Sequence, residues 1–155
     1  MNEKNIKISR SQDPVLFFSE NEKKRIMQTI HQAELKTSGE IRVHLERKAQ
    51  ADILKQAQGK FEKLGMTKTQ QRNGVLIFLA VQSRQFVICG DLAIHEKLPE
   101  TFWTEATQLM ESYFKQDQFA EGIVHAVLSV GEKLRAFFPY ERNDLNELSD
   151  EISYS

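Results

Sequence analysis

The sequence is poor in cysteine, proline and glycine. Cys89 is the single cysteine in 155 residues, so an intramolecular disulfide and a cysteine-rich zinc site are excluded. Because Cys89 lies in an apolar run, we expect its thiol to be buried and unreactive. The seven glycines form no phosphate-binding loop, and no G-x-S-x-G elbow occurs, so Rossmann, P-loop and α/β-hydrolase chemistries are disfavoured.

An excess of one charge sign and long apolar runs are also missing. The 21 Lys and Arg residues nearly balance the 22 Asp and Glu residues, which argues against nucleic-acid binding. The longest apolar run, residues 75–81, is far shorter than the roughly 20 residues of a membrane-spanning helix. The polar N-terminus lacks the apolar core of a signal peptide. We therefore expect a complete, soluble, cytoplasmic protein with no nucleic-acid partner and no integral membrane segment.

The length and the 40% content of hydrophobic residues suit one domain. Residues 1–16, with Lys4, Lys7 and Arg10, resemble a basic flexible arm. Residues 140–155 carry five acidic residues against one arginine and are expected to form an acidic C-terminal tail. The folded domain is therefore predicted to span residues 17–139.

Within that domain, hydrophobic periodicity predicts the order α-β-α-β-β-α-α. Ser19 and Glu22 form a capping box that begins the first helix, and Gly39 is expected to cap its end. Residues 40–46 alternate as a strand does, residues 52–64 have a helical stripe, and the wholly apolar 75–81 indicates a central buried strand. A short turn returns the chain as a third strand over 85–90, and helices follow from near Pro99 and Asp117.

The β-α-β segment predicts a right-handed parallel crossover, and the hairpin makes the third strand antiparallel. The expected fold is α/β, a small mixed sheet with helices on both faces, which is a three-layer α/β/α sandwich.

This topology brings three polar clusters to one edge of the sheet. Glu40 opens the first strand, Arg72 and Asn73 precede the second, and Asp91 follows the third. Carboxylate and amide oxygens suit Ca²⁺ or Mg²⁺, and an arginine beside them can hold a phosphate. Two interpretations stay open: a metal or anion pocket, or an ion pair from Arg72 to Asp91 or Glu40 that ties the loops together.

Several short motifs, taken in order and spacing, resemble the TPM domain family over residues 17–139. They are Phe18-Ser19-Glu20, Thr37-Ser38-Gly39-Glu40-Ile41, Phe61-Glu62-Lys63-Leu64-Gly65-Met66, Arg72-Asn73-Gly74-Val75-Leu76, Gly90-Asp91 with Ile94-His95, Pro99 with Phe102-Trp103, and Phe119-Ala120-Glu121-Gly122. Within the family, the chain is most similar to the short soluble bacterial members.

The resemblance implies an α/β/α sandwich with a divalent-cation site, often for calcium, in loops at one sheet edge. Carried over by position, Glu40, Asn73 and Asp91 would be the ligands of Ca²⁺ or Mg²⁺, and Arg72 would line the pocket. One plant relative is described as an acid phosphatase and a nematode relative as a receptor accessory protein, so the fold does not settle the function.

Two hypotheses follow for the biological role. In the first, the domain is a metal-dependent phosphatase that hydrolyses phosphomonoesters, with Arg72 holding the phosphate, Asp91 serving in catalysis and water as the attacking group. In the second, it is a non-catalytic module that binds a protein partner and has a structural metal site. The absence of a nucleophile–base pair in the sequence favours the second hypothesis.

Overall fold

One mixed sheet of four strands forms the centre of the molecule. The structure is a computed structural model that describes residues 10–141 and 148–155. The strands are β1 (Glu40–Glu46), β2 (Gly74–Ala80), β3 (Gln85–Gly90) and β4 (Ser153–Tyr154), in the spatial order β3-β2-β1-β4. β1 is parallel to β2 and to β4, and β3 is antiparallel to β2.

Six α-helices surround the sheet within the described residues. They are α1 (Pro14–Phe17), α2 (Glu20–Glu34), α3 (Ile53–Lys63), α4 (Leu92–Lys97), α5 (Glu100–Phe114) and α6 (Phe119–Phe137), and a 3-10 turn at Met66–Lys68 follows α3. The four long helices and the first three strands agree with the elements expected from periodicity. The short helices α1 and α4 were not predicted, because four or six residues are too few to show a helical repeat.

Helices cover the sheet on both faces, which confirms the predicted α/β sandwich. Alternate residues of β1 and β2 face α2, α5 and α6 in the larger core, namely Ile41, Val43, Leu45, Val75, Ile77 and Leu79. The other face of β2 packs Leu76, Phe78 and Ala80 against Ala57 and Phe61 of α3. Every residue of β2 is buried, and each large apolar side chain stabilises the fold by about 1.5–3 kcal/mol.

The start of α2 follows the predicted capping box, but its end does not follow the prediction. Ser19 accepts a hydrogen bond from Glu22 N, and the Glu22 carboxylate accepts one from Ser19 N. The helix ends at Glu34 with Leu35 as its C-cap, so the expectation that Gly39 caps it is wrong. Gly39 instead lies against α6, where a β-carbon would stand 2.9 Å from Leu134 Cδ1.

A fourth strand corrects the three-stranded prediction. Ser153 and Tyr154 pair in parallel with His44 and Leu45 of β1, so the end of the predicted acidic tail joins the sheet. Two residues give no alternation for a sequence pattern to detect. The serine hydroxyls of residues 153 and 155 lie 2.7 and 2.9 Å from the two ring nitrogens of His44, which holds the strand in register. Residues 1–9 of the predicted arm and residues 142–147 of the tail lie outside the described residues.

Cys89 is buried in the smaller core, and burial raises the pKa of its thiol to about 12. The thiol therefore stays protonated and is a poor nucleophile at neutral pH. Among the residues that the structure describes, no helix is both long enough and apolar enough to cross a bilayer.

Candidate functional site

The sheet register brings the predicted residues to one edge. Glu40 is the first residue of β1 and lies opposite Gly74, the first residue of β2. The Gly74 carbonyl accepts a hydrogen bond of 3.0 Å from Asp91 N just after β3. Glu40, Gly74 and Asp91 therefore lie in one cross-strand row, with two strand spacings of about 4.8 Å between the acidic residues. Both acidic residues and Asn73 are buried, at 3%, 5% and 1% exposure.

Arg72 and Asp91 form a bidentate ion pair. Arg72 Nε lies 2.6 Å from Asp91 Oδ2, and Arg72 Nη2 lies 2.7 Å from Oδ1. Oδ1 also accepts a hydrogen bond of 2.8 Å from Leu92 N and so caps α4. Arg72 has a left-handed backbone conformation (φ 53°), and its carbonyl accepts a bond from Ala93 N. The ion pair therefore ties the loop before β2 to the start of α4, as the second interpretation of the sequence proposed.

The Arg72 side chain is 41% exposed, whereas the Asp91 side chain is only 4% exposed. Hydrogen bonding to the Asp91 carboxylate raises the pKa of the Arg72 guanidinium. The guanidinium is charged at physiological pH with or without this bond. The exposed partner of this pair is thus the cation, and the buried partner is the anion.

Glu40 belongs to a second group of acidic residues that the sequence did not predict. The carboxyl group of Glu34, at the end of α2, lies close to the carboxyl groups of Asp150 and Glu40. Its Oε2 accepts a bond of 3.0 Å from Ile41 N. Burial and the two neighbouring carboxyl groups raise the pKa of Glu34 to about 11. This group, Glu34, Glu40 and Asp150, is called the carboxyl cluster below.

His31 lies beside the carboxyl cluster, with its Nδ1 3.2 Å from Asp150 Oδ2. Glu34 lies on a helix face and Asp150 lies in a segment without periodicity. No sequence signal distinguishes either residue from an ordinary exposed acid.

The carboxyl cluster and the Arg72–Asp91 ion pair lie on opposite sides of Gly74. A β-carbon on Gly74 would stand 3.5 Å from Phe61 Cζ and 3.6 Å from Met66 Cε, so these side chains cover the row between Glu40 and Asp91. Asn73 lies beside the row, where its Nδ2 is 3.4 Å from Ser38 Oγ and its carbonyl accepts a bond of 3.3 Å from Glu40 N.

The candidate metal ligands at this edge, Glu40, Asn73 and Asp91, offer carboxylate and amide oxygens, which are ligand types that suit a hard divalent cation. In the arrangement seen, however, no three His, Cys, Asp or Glu side chains within the described ranges are placed to hold a metal ion. The Arg72 guanidinium already occupies both oxygens of Asp91, and a second cation close to it is repelled. A cation bound by Asp91 therefore requires Arg72 to turn away from that carboxylate.

Two histidines have other roles. The His95 ring stacks on Trp103 with centroids 5.2 Å apart. His44 is 1% exposed and stacks on Phe78, and burial lowers its pKa to about 4. Neither residue joins the groups at the sheet edge.

Solved structures and a protein-family model match this chain. No curated protein matches it. The solved structure of the BA42 protein from the psychrophilic bacterium Bizionia argentinensis is similar, with 38% identity and a TM-score of 0.85 over 90% of this chain and 96% of that one. The N-terminal domain of a P. gingivalis protein shares the fold alone, at 16% identity and a TM-score of 0.65 over 81% and 83% of the two chains.

A model of the TPM domain matches residues 11–133. This range contains every element from α1 to α5, most of α6, and all four of the residues predicted for the site. The chain therefore belongs to the TPM domain family.

Proposed function

We propose that this TPM domain binds a divalent cation, Ca²⁺ or Mg²⁺, at the edge where β1 and β2 begin, with Glu40, Asn73 and Asp91 as ligands. The observation that carries the proposal is the burial of Glu40 and Asp91 in one cross-strand row beside a buried Asn73. Burying a carboxylate costs several kcal/mol unless a positive charge or hydrogen bonds compensate it. The half-exposed Arg72 guanidinium is the cation paired with Asp91.

Arg72 controls access to the carboxylate in this proposal. Its side chain can turn into solvent because it is 41% exposed, while Asp91 is held by its bond to Leu92 N. The guanidinium and the divalent ion compete for the same two oxygens. Arg72 thus sets the apparent affinity, since the ion must displace an ion pair before it reaches Asp91.

Titration with CaCl₂ and with MgCl₂, followed by calorimetry and by amide NMR shifts, tests this proposal. We expect Glu40→Gln and Asp91→Asn each to weaken binding at least tenfold, as removing one carboxylate ligand should. Arg72→Gln should tighten binding, because it frees Asp91. The matched control is Arg10→Gln, which breaks another bidentate ion pair, with Glu22 at 2.7 Å, at the far end of α2. Shifts confined to residues away from this edge would refute the assignment.

Hydrolysis of phosphomonoesters is a second candidate function, and the exposed Arg72 favours it. Released from Asp91, its planar guanidinium would bind a phosphate group through two parallel hydrogen bonds, and Asp91 would be free to accept a proton from water. The assay is release of p-nitrophenol from p-nitrophenyl phosphate with Ca²⁺, Mg²⁺ or Mn²⁺ present. Activity abolished by Arg72→Gln and by Asp91→Asn supports catalysis here.

If no turnover is detected while the cation still binds, the domain acts as a non-catalytic module with a structural metal site. Its partner would then be a protein. Because Ser153 and Tyr154 belong to the sheet, affinity capture with the wild type and with Glu141→Gln/Asp144→Asn/Glu147→Gln, which keeps β4, tests whether the acidic segment takes part. Unchanged capture would remove that segment from the interface.

A further inference from the structure

A cavity of about 620 Å³ lies at the other end of the sheet, beside the turn that joins β2 to β3. Its wall is formed by Phe86 of β3, Phe114 at the end of α5 and Phe119 at the start of α6. Four charged residues surround these rings, namely Arg84, Glu111, Lys115 and Asp117. The volume falls within the range of about 300–1,000 Å³ that is usual for small-molecule sites. None of these residues belongs to the sheet edge discussed above.

The aromatic wall is a connected set of rings. Phe86 and Phe114 lie edge to face with centroids 5.2 Å apart, and the Phe114 and Phe119 centroids are 5.0 Å apart. Phe119 continues the set to Phe17 at 5.3 Å. Because each ring is packed against the next, the apolar surface is formed before any ligand arrives, which lowers the entropic cost of binding.

Arg84 places a positive charge at this wall. Its Cζ lies 4.8 Å from the centroid of Phe119 and 5.4 Å from that of Phe17, distances at which a cation is attracted to a ring face. Arg84 has a left-handed backbone conformation (φ 53°) in the turn. Within residues 10–141 and 148–155 its guanidinium makes no ion pair and no hydrogen bond, so its donors remain available to an anion.

The other charges narrow the choice of anion. Glu111 of α5 and Lys115, the C-cap residue just after α5, are four residues apart, a helical spacing at which their charges offset each other. Asp117 adds a negative charge at the same rim, which disfavours ligands of high negative charge. An aromatic body would stack in the Phe86–Phe114 part of the cavity while one carboxylate meets the Arg84 fork.

The geometry points to a binding site for a small aromatic monocarboxylate in this cavity, with Arg84 as the residue that recognises the carboxylate. This site is separate from the proposed cation site, so either one can fail without the other.

Amide NMR titration of the full chain with phenylacetate tests the inference. We expect saturable shifts of Arg84, Phe86 and residues 114–119, with a dissociation constant of about 1 mM for a ligand of this size. Acetate, which lacks the ring, should bind at least tenfold more weakly. Benzylamine, which has the ring but the opposite charge, should cause no saturable shifts there.

Two variants complete the test. Arg84 is exposed, so Arg84→Gln should fold normally and weaken phenylacetate binding at least tenfold. The matched control is Lys97→Gln, which removes another exposed cation, 4.9 Å from the ring of Phe138 and outside the cavity. The inference is overturned if Arg84→Gln binds within twofold of the wild type, if benzylamine binds as well as phenylacetate, or if the shifts fall elsewhere.

Discussion

Replacing Glu34 by glutamine should stabilise the protein at neutral pH. The carboxyl group of Glu34 is close to those of Glu40 and Asp150, and its pKa is raised from an ordinary value of 4.5 to about 11. The folded protein therefore holds a proton that the unfolded chain releases at pH 7. Glutamine has the shape of the protonated acid: its oxygen can accept the bond from Ile41 N, and its amide can donate to the neighbouring carboxylates.

The size of the effect follows from the two pKa values. Because the pKa of Glu34 is higher in the folded protein than in the unfolded chain, the protonated carboxyl group contributes its full stabilisation below pH 4.5. That contribution falls by about 1.4 kcal/mol per pH unit as the pH rises from 4.5 towards the folded-state pKa of about 11. At pH 7 the pH lies 2.5 units above the ordinary value of 4.5, so the loss is up to about 3 kcal/mol. Glu34→Gln removes this loss of stability. The difference in unfolding free energy between the variant and the wild type should vanish near pH 4.5 and grow steadily to pH 8.

Urea unfolding of both proteins at several pH values, with EDTA present to remove divalent ions, measures this gain. Glu62→Gln is the matched control, because Glu62 is an exposed glutamate of α3 and its replacement should shift stability by less than about 0.5 kcal/mol at every pH. A difference between Glu34→Gln and wild type that stays constant with pH would refute the reasoning. So would a variant that is less stable at pH 8 than the wild type.

Three further predictions rest on single contacts. Ser19→Ala removes the hydrogen bond to Glu22 N and should cost about 1 kcal/mol in urea unfolding. Gly39→Ala places a methyl group 2.9 Å from Leu134 Cδ1 and should cost about 1–3 kcal/mol by overpacking, seen as a lower Tm. His44 has a folded pKa of about 4 against an ordinary 6.5, so the unfolded state binds more protons between these values and stability falls as the pH drops through that window, by up to about 3 kcal/mol. His44→Gln should lose this dependence when compared with the wild type at each pH, whereas an unchanged slope would contradict it.

Much of the fold could be predicted because its main elements carry local patterns. The strand pattern of residues 40–46 and the capping box at Ser19 depend on neighbours in the chain, and the strand and the capping box both appear in the structure. Burial along the strand does not alternate, because Glu40 and His44 are buried as well. The expectation for Gly39 failed for the opposite reason. Its closest constraint is Leu134, which is distant in sequence, so local turn chemistry gave no indication of it.

The candidate site was predictable only in part. Strand order placed Glu40, Asn73 and Asp91 at one sheet edge, which the register of β1 and β2 reproduces. The pairing of side chains could not be deduced in the same way. Arg72 had two acidic residues within its expected reach, and the rotamer that joins it to Asp91 depends on the cap of α4.

The sequence by itself determined the family, the number of long helices, the parallel and antiparallel pairs of the first three strands, and the buried state of Cys89. These features follow from periodicity, from short motifs and from the handedness of the crossover, all of which act over short stretches of chain. Only the tertiary structure decided that Ser153 and Tyr154 extend the sheet, that Asp150 meets Glu34, and that Arg84 lies over the Phe119 ring. Each of these contacts joins residues that are far apart in sequence, so its energy depends on packing that no local pattern records.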